Sequence, residues 1–429
     1  MSGPRESRYR LLSPHSAALR RIVAVVLAIL VVGSTAAAVP IAAGPSQPSA
    51  DSVATPVTEV ANTTAYLSFP DDSVRTSGFT TVRLDPAGHA AVQTARLHGR
   101  YATAELRASF RAAETDAERR RVIVNATRQV NARIDRLEER QAAALAAYSR
   151  GELSTQSFLR ELVAVHAAAD ATTATINQLY TFDRAAGMPV SQSAVARLKA
   201  RLIPLQGPVR ALVAERMAAG DGARVHVTTT DSGIALAAVR TGEFTTRYVR
   251  EAFNGAAFDN QFTDRPLNIE TFEQRVSELY PWTWANNRGT NSLLTGEPQY
   301  LRAGVYAVAV NHPHGTVGDR DLVIYYDADT ESVFYEVQRK SVTATPTPVV
   351  AEATSDDLGV RLRSTHPGGP LAVQVYNATT GTPVNATIRL GEEQLGTTGG
   401  DRLWTIAPRG VFVVTASTPD GNVTVTATV

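Results

Sequence analysis

Between residues 87 and 220 the apolar residues recur every three and four positions, and that spacing restricts the fold more than any other feature of the chain. One seam runs Ile123, Thr127, Val130, Ile134, Leu137, Gln141, Ala144, Tyr148. A second runs Phe158, Leu162, Val165, Ala169, Thr172, Ile176, Leu179. A period near 3.5 residues keeps one stripe of a helix against a neighbour lying at a shallow angle. The stretch SRGELS, Ser149 to Ser154, breaks the pattern with a glycine stop and serine starts. The two seams therefore predict an antiparallel, coiled-coil-like hairpin, each arm about 45 Å long at 1.5 Å per residue. A third seam, Val195, Leu198, Leu202, Leu205, Val209, Leu212, would pack on the pair and complete a three-helix domain over 87–220. Pro204 and Pro208 predict a kink in it, because neither has a backbone N–H to donate.

After Gly220 the period falls to two. RVHVTTT and GIALAAV alternate as half-buried strands do, and GVYAVAV, DLVIYY and SVFYEV follow with turn residues between them. NIETFEQRVSELY, Asn268 to Tyr280, reads as one amphipathic helix with Asn268 as its cap. Residues 221–340 are thus expected to form a small α+β domain, a helix on an antiparallel sheet. A linker comes next at 341–356. Residues 357–429 are short alternating strands split by TGTP, TTGGD and PDGN, the pattern of an all-β sandwich of immunoglobulin-like or transthyretin-like kind. Gly44 to Thr64 is rich in Pro, Ser, Thr and Ala, so 44–86 is expected to be a flexible tether with short extended segments.

The head of the chain sets its compartment. Arg5, Arg8, Arg10, Arg20 and Arg21 precede an unbroken apolar run from Ile22 to Val32, and Ala36, Ala37 and Ala38 offer the small residues of a cleavage site. Residues 1–43 are read as a signal peptide or, if the apolar stretch continues through Ala43, as an N-terminal membrane anchor of about 20 residues. Both alternatives export the remainder of the chain, either to the extracellular face of the membrane or beyond it. Five N-x-Thr triplets agree with an exported chain and are its candidate N-glycosylation positions: Asn62, Asn125, Asn377, Asn385 and Asn422. The absence of cysteine excludes disulfides, thiolate metal sites and a cysteine nucleophile. Of 429 residues 44% are hydrophobic and 19% charged, which is a globular composition. The formal charge is +1, so no overall field draws in nucleic acid. Residues 101–220 carry 17 basic against 12 acidic side chains, but Arg119, Arg120 and Arg121 have no interleaved aromatics for bases to stack on.

Few residues suggest chemistry. NHPHGTVGDRD places His312 and His314 near Asp319 and Asp321, all of metal-ligand type. Pro313 and two glycines make this a hairpin loop, so a metal site there would draw a further ligand from His226. DADTE, Asp327 to Glu331, lacks the glycine and the acidic spacing of a calcium loop and reads as a strand corner. Tyr280, Trp282 and Trp284 are expected in the core between helix and sheet, with a sugar or partner platform as the alternative, and Trp404 in the sandwich core. G-x-S-x-G, S-x-x-K, H-E-x-x-H, Walker and G-x-G-x-x-G motifs are missing.

The stretches RIDRLEERQAAALAAYSRGELS, GPVRALV, ELYPW, NHPHG, SVFYEVQ and TGTPVNATIRLGEEQLGTTGGDRLWTIAP resemble a group of exported, cell-surface proteins of unknown function from halophilic archaea. The last stretch is also similar to carboxypeptidase-regulatory-like sandwich modules. The near-neutral charge departs from the acid-rich composition of halophile proteins. The resemblance implies no catalytic residue and no cofactor. The resulting expectation is an archaeal envelope protein with a structural or binding role. Its partners would be the membrane, through an uncleaved N-terminal segment, and a protein or glycan at the cell surface. The competing readings are an extracellular metal-dependent hydrolase centred on the His312 and His314 loop, and a membrane-anchored sensor domain.

Overall fold

The structure is a computed structural model that describes residues 57–61, 63–185, 192–220, 222–241, 246–258, 266–286, 299–302, 304–310 and 322–429. The N-terminal segment, Asn62 and the loop with His312, His314, Asp319 and Asp321 lie outside the described residues. No described helix is long and apolar enough to cross a membrane.

Strands β1 (Val57–Val60), β2 (Thr63–Leu67) and β3 (Thr76–Val82) precede the helices α1 (Pro86–Ala112), α2 (Asp116–Ser149), α3 (Thr155–Ala185), α4 (Gln192–Leu202) and α5 (Pro208–Ala219). Next come β4 (Ala223–Thr229), β5 (Gly233–Thr241), β6 (Thr246–Asn254), α6 (Ile269–Leu279) and α7 (Pro281–Asn286). Strands β7 (Gln299–Arg302), β8 (Val305–Val310), β9 (Leu322–Asp327) and β10 (Ser332–Ser341) complete that part. The last eight strands are β11 (Val349–Ser355), β12 (Leu358–Ser364), β13 (Pro370–Asn377), β14 (Thr387–Leu390), β15 (Glu393–Thr397), β16 (Arg402–Ile406), β17 (Val411–Thr418) and β18 (Gly421–Thr428).

Local sequence starts the helices where they start. Asp85 accepts a hydrogen bond from Gly88 N–H at 3.0 Å, with Pro86 in the first turn of α1. Thr115 and Glu118 form a reciprocal capping box on α2. Helix α3 returns along α2, as the stacked rings of Tyr148 and Phe158 (4.4 Å) and the Arg140–Glu161 pair (2.8 Å) show. Helix α1 lies along α3 in the same direction: Thr103 meets Thr175 at 3.0 Å, and Arg107 donates to Gln178 at 2.7 Å. The seam residues from Ile123 to Tyr148 are buried, apart from half-buried Thr127, and those from Phe158 to Leu179 are all buried. Pro204 and Pro208 do not kink one helix. Helix α4 ends at Leu202, a 3-10 turn covers Ile203–Leu205, and Pro208 sits at the first position of α5. Proline is better placed at a helix start, where its missing N–H would have no partner anyway.

An eight-stranded antiparallel sheet, in the order β3-β4-β5-β6-β10-β9-β8-β7, forms the centre. Strand β3 comes from the stretch expected to be a tether, and β2, with all five residues buried, closes a hairpin with β1 beside the sheet. The tether expectation therefore fails from Val57 onward. Phe79 pairs in register with His226, and nothing in the local composition announces a strand whose partner is so distant. The sheet likewise crosses the expected 220/221 boundary. One of its faces takes α5 and the α2–α3 corner through Val225, Val227, Leu236 and Val249 against Val209, Leu212, Val213 and Phe158. The other takes α6, with Phe272 and Val276 on Ile324 and Tyr326. Asn268 caps α6, accepting from Glu270 and Thr271 N–H.

The C-terminal sandwich packs the sheet β11-β12-β13-β16 on the sheet β15-β14-β17-β18 around Val360, Leu362, Val373, Ile388, Val414 and Val423. Trp404 is not in that core. Leu403 faces it, so Trp404, one residue on, points outward with Ile406 onto Tyr248 and Val342 of the central sheet.

Candidate functional site

Strand β6 carries two adjacent charges, Arg250 and Glu251, and alternation sends them to opposite faces of the sheet. On the helix face, Glu251 accepts from Val209 N–H at 2.8 Å and lies 3.0 Å from Arg210, both ions essentially without solvent. Arg210 donates further to Gln141 (2.8 Å) and to the Pro204 carbonyl (3.0 Å). Gly207 is required here, since a β-carbon on it would stand 2.0 Å from the Glu251 carboxylate. Burial raises the Glu251 pKa, against the pull of Arg210 and the α5 N–H groups. The GPVRALV stretch thus builds a carboxylate socket at the start of a helix.

On the opposite face, Arg250 donates to Glu336 at 3.1 Å and also to the Leu67 carbonyl. Glu336, fully buried, further accepts from Leu67 N–H (2.9 Å), Tyr280 O–H (2.6 Å) and Gln338 (2.9 Å). Burial and the Glu336 charge push the Tyr280 phenol well above its usual range. The ELYPW and SVFYEVQ stretches, far apart in sequence, meet here. Gln338 donates to the Ala65 carbonyl (2.8 Å) and Lys340 to that of Thr64 (3.1 Å), so β10 grips the β1–β2 hairpin by its backbone.

Beside this network lies a cleft of about 410 Å³ between the hairpin, the central sheet and the sandwich. Tyr66, His226, Thr228, Arg250 and Arg409 line it, with Gly368 from the β12–β13 connection. His366 stacks on Tyr66 at 4.1 Å, and the Arg250 guanidinium lies 5.0 Å from the Tyr66 ring centre. Arg409 pairs with Asp71 at the mouth. Gly368 has φ +74°, and a β-carbon on it would come 2.7 Å from His226 Nδ1. The Tyr248 hydroxyl donates to the Gly368 carbonyl at 2.9 Å. The sandwich is also tied through Glu393, which takes Thr81 and, at 3.0 Å, Arg224.

Ser77 Oγ and His226 Nε2 stand 3.0 Å apart, the spacing of a nucleophile and its base. The pair is nevertheless not set up for catalysis. Burial, with Arg250 and Arg409 nearby, lowers the His226 pKa to about 3, too weak a base to take a hydroxyl proton near neutrality. Nδ1 faces Gly368, whose lack of a β-carbon leaves it room, and the hydrogen bonds of the described residues place no orienting carboxylate on it. Of the two ring nitrogens of His226, Nε2 is held by Ser77. Among the described residues, no three His, Asp or Glu gather as a metal site would need. Asp327 Oδ1 accepts from Asp329 N–H at 2.9 Å, so DADTE is a turn built on its own side chain.

Of the aromatic trio, Tyr280 is buried, Trp282 half-buried and Trp284 39% exposed. Tyr280 closes α6 and Trp282 and Trp284 lie on α7, whose turn points them to different sides, which alternate spacing in the sequence conceals. The candidate glycosylation residues Asn125, Asn385 and Asn422 are exposed and Asn377 is half-buried. Asn377 Oδ1 is held by Thr379 and Thr380 N–H. The cleft itself escaped sequence reading, since Tyr66 lay in the expected tether and Arg250 in an ordinary strand.

Residues 19–223 match a domain of unknown function (DUF7096), residues 225–346 match a family of unknown function (DUF7094), and residues 349–425 match an archaeal fibronectin-III type-like domain. These matches agree with an archaeal protein that ends in a β-sandwich. No curated protein and no solved structure matches the chain.

Proposed function

We propose that this chain is an exported protein of the archaeal cell envelope that acts by binding, with the central sheet holding a helical stalk and a fibronectin-III-like sandwich in one rigid arrangement. The observation that carries the reading is how the buried charges are used. Arg210, Glu251, Arg250, Glu336 and Lys340 join the helices, hairpin and sheet to one another, while the cleft beside them offers an aromatic and guanidinium-lined surface. Buried ion pairs tied into backbone groups make a body that resists internal rearrangement, as a presenting scaffold requires. The arginine-rich head, the apolar run to Val32 and the sequons support export.

The test is the N-terminal residue of the protein recovered from its native cells, with the fraction that holds it. A start near Val39 in the medium or wall fraction, or an intact Ala17-to-Ala43 segment in membranes, is the expected result. Recovery of an intact N-terminus from the cytosol overturns the proposal.

A further inference from the structure

Helix α1 packs on the rest of the protein with one face, on which Gly88 is buried and Ala95, Thr103 and Phe110 are half-buried. Val92, Gly99 and Leu106, at intervals of seven, are buried, with Gly99 against Ala171 of α3. The opposite side carries Ala90, Thr94, Leu97, Tyr101, Ala104 and Ala108, spaced alternately by four and three, and all six are exposed. Leu97 is 64% and Tyr101 70% exposed, among the largest values for bulky apolar residues in the described chain. The buried seams of α2 and α3 have the same spacing. An apolar heptad seam of about 28 Å, at 1.5 Å per residue, is the pattern of a helix that pairs with another.

The residues that flank the seam identify the partner. Arg100 lies on one side of it and Glu105 on the other, and neither has an ion-pair partner among the described residues. Five residues apart, they point to different sides of one helix and cannot pair within it. Two copies of α1 laid parallel and in register bring Arg100 of each beside Glu105 of the other, twice, across a two-fold axis. Antiparallel packing sets the flank with Gln93, Arg100 and Arg107 against its own copy, so arginines would face arginines. We infer that the protein self-associates through α1, as a parallel, in-register pair with Leu97 and Tyr101 at its centre.

The chain has no cysteine, so single cysteines report the pairing directly in the full protein. Ala90→Cys and Ala108→Cys, oxidised separately in cells, are each expected to give a disulfide-linked homodimer. Thr426→Cys, exposed on the sandwich, stays monomeric. Added to Ala108→Cys, the substitution Arg100→Glu lowers cross-linking about tenfold, as loss of two ion pairs to like charges would, and adding Glu105→Arg restores it. Unchanged thermal midpoints separate lost pairing from lost folding. Monomers at both positions, linkage only between mixed Ala90→Cys and Ala108→Cys chains, or cross-linking indifferent to Arg100→Glu would each overturn the inference.

Discussion

The two faces of the central sheet solve the same problem with different chemistry. The face under α5 is closed mainly by aliphatic side chains, Val225, Val227, Leu236 and Val249 against Val209, Leu212 and Val213, with one buried ion pair, Arg210–Glu251. The face under the hairpin and sandwich is closed by Arg250, Glu336, Gln338, Lys340, His226 and His366, together with Tyr66 and Tyr280. A helix brings its own satisfied backbone to a sheet and needs only an apolar stripe. A two-stranded hairpin and a loop bring unpaired N–H and C=O groups, and buried polar side chains must reach them. The second face is therefore specific, and it is sensitive to the loss of any member.

That contrast can be broken most directly at Glu336. Glu336→Ala leaves the Arg250 charge, the Tyr280 hydroxyl and Leu67 N–H buried without their acceptor, and the expected loss is about 3–5 kcal/mol in urea unfolding. A loss below about 1 kcal/mol, the scale of a surface pair, would show that the network is hydrated and contributes little.

Acid sharpens the comparison. Burial, aided by Arg250 and Arg409, lowers His226 to about 3 from 6.5. His366 is held well below its ordinary value by burial and by Lys340, Arg250 and His226. The folded state thus refuses protons that the unfolded chain accepts. Stability is full above about pH 6.5 and is lost as pH falls toward the lowered folded-state values, about 3 for His226, each histidine contributing at most about 1.4 kcal/mol per pH unit. His166, half-buried in the helical layer and lowered to about 4 by desolvation and by Arg210 and Arg96, adds a smaller loss on the other side. The double variant His226→Gln, His366→Gln should flatten the urea midpoint against pH and leave the His166 component. An unchanged slope would place the acid sensitivity in the helical layer.

The smallest expected effect belongs to Lys340→Met, which removes the donor to the Thr64 carbonyl while keeping much of the apolar stem. About 1 kcal/mol should be lost, and amide exchange should quicken in β1 and β2 before β4 or β5. Uniform quickening across the sheet would mean that the hairpin opens only with the whole domain.

Reading the sequence worked where one element carries its own pattern. The seams from Ile123 to Leu179 marked buried stripes because a helix face repeats within a few residues of itself. Asn268 marked a helix start because its cap partners are two and three residues away. The sequence is mute where the partner is distant. Nothing near Thr76–Val82 says that β4 lies beside it, and Pro208 looked like a break inside a helix until Glu251 appeared at the start of α5. Trp404 alternates correctly but in the other phase, and phase is chosen by what the strand lies between.

By itself, then, the sequence determined the helical and strand regions, the sandwich at the end and the bulk of their apolar stripes, since those depend on periodicities of two and of about 3.5. Only the tertiary structure decided that the supposed tether completes the sheet, that Arg250 and Glu251 diverge into two buried networks, and that Tyr66, His226 and Arg409 line one cleft. Each of those outcomes requires polar side chains to find partners distant along the chain. Hydrogen bonds and ion pairs are set by position in space, and a one-dimensional pattern carries no record of it.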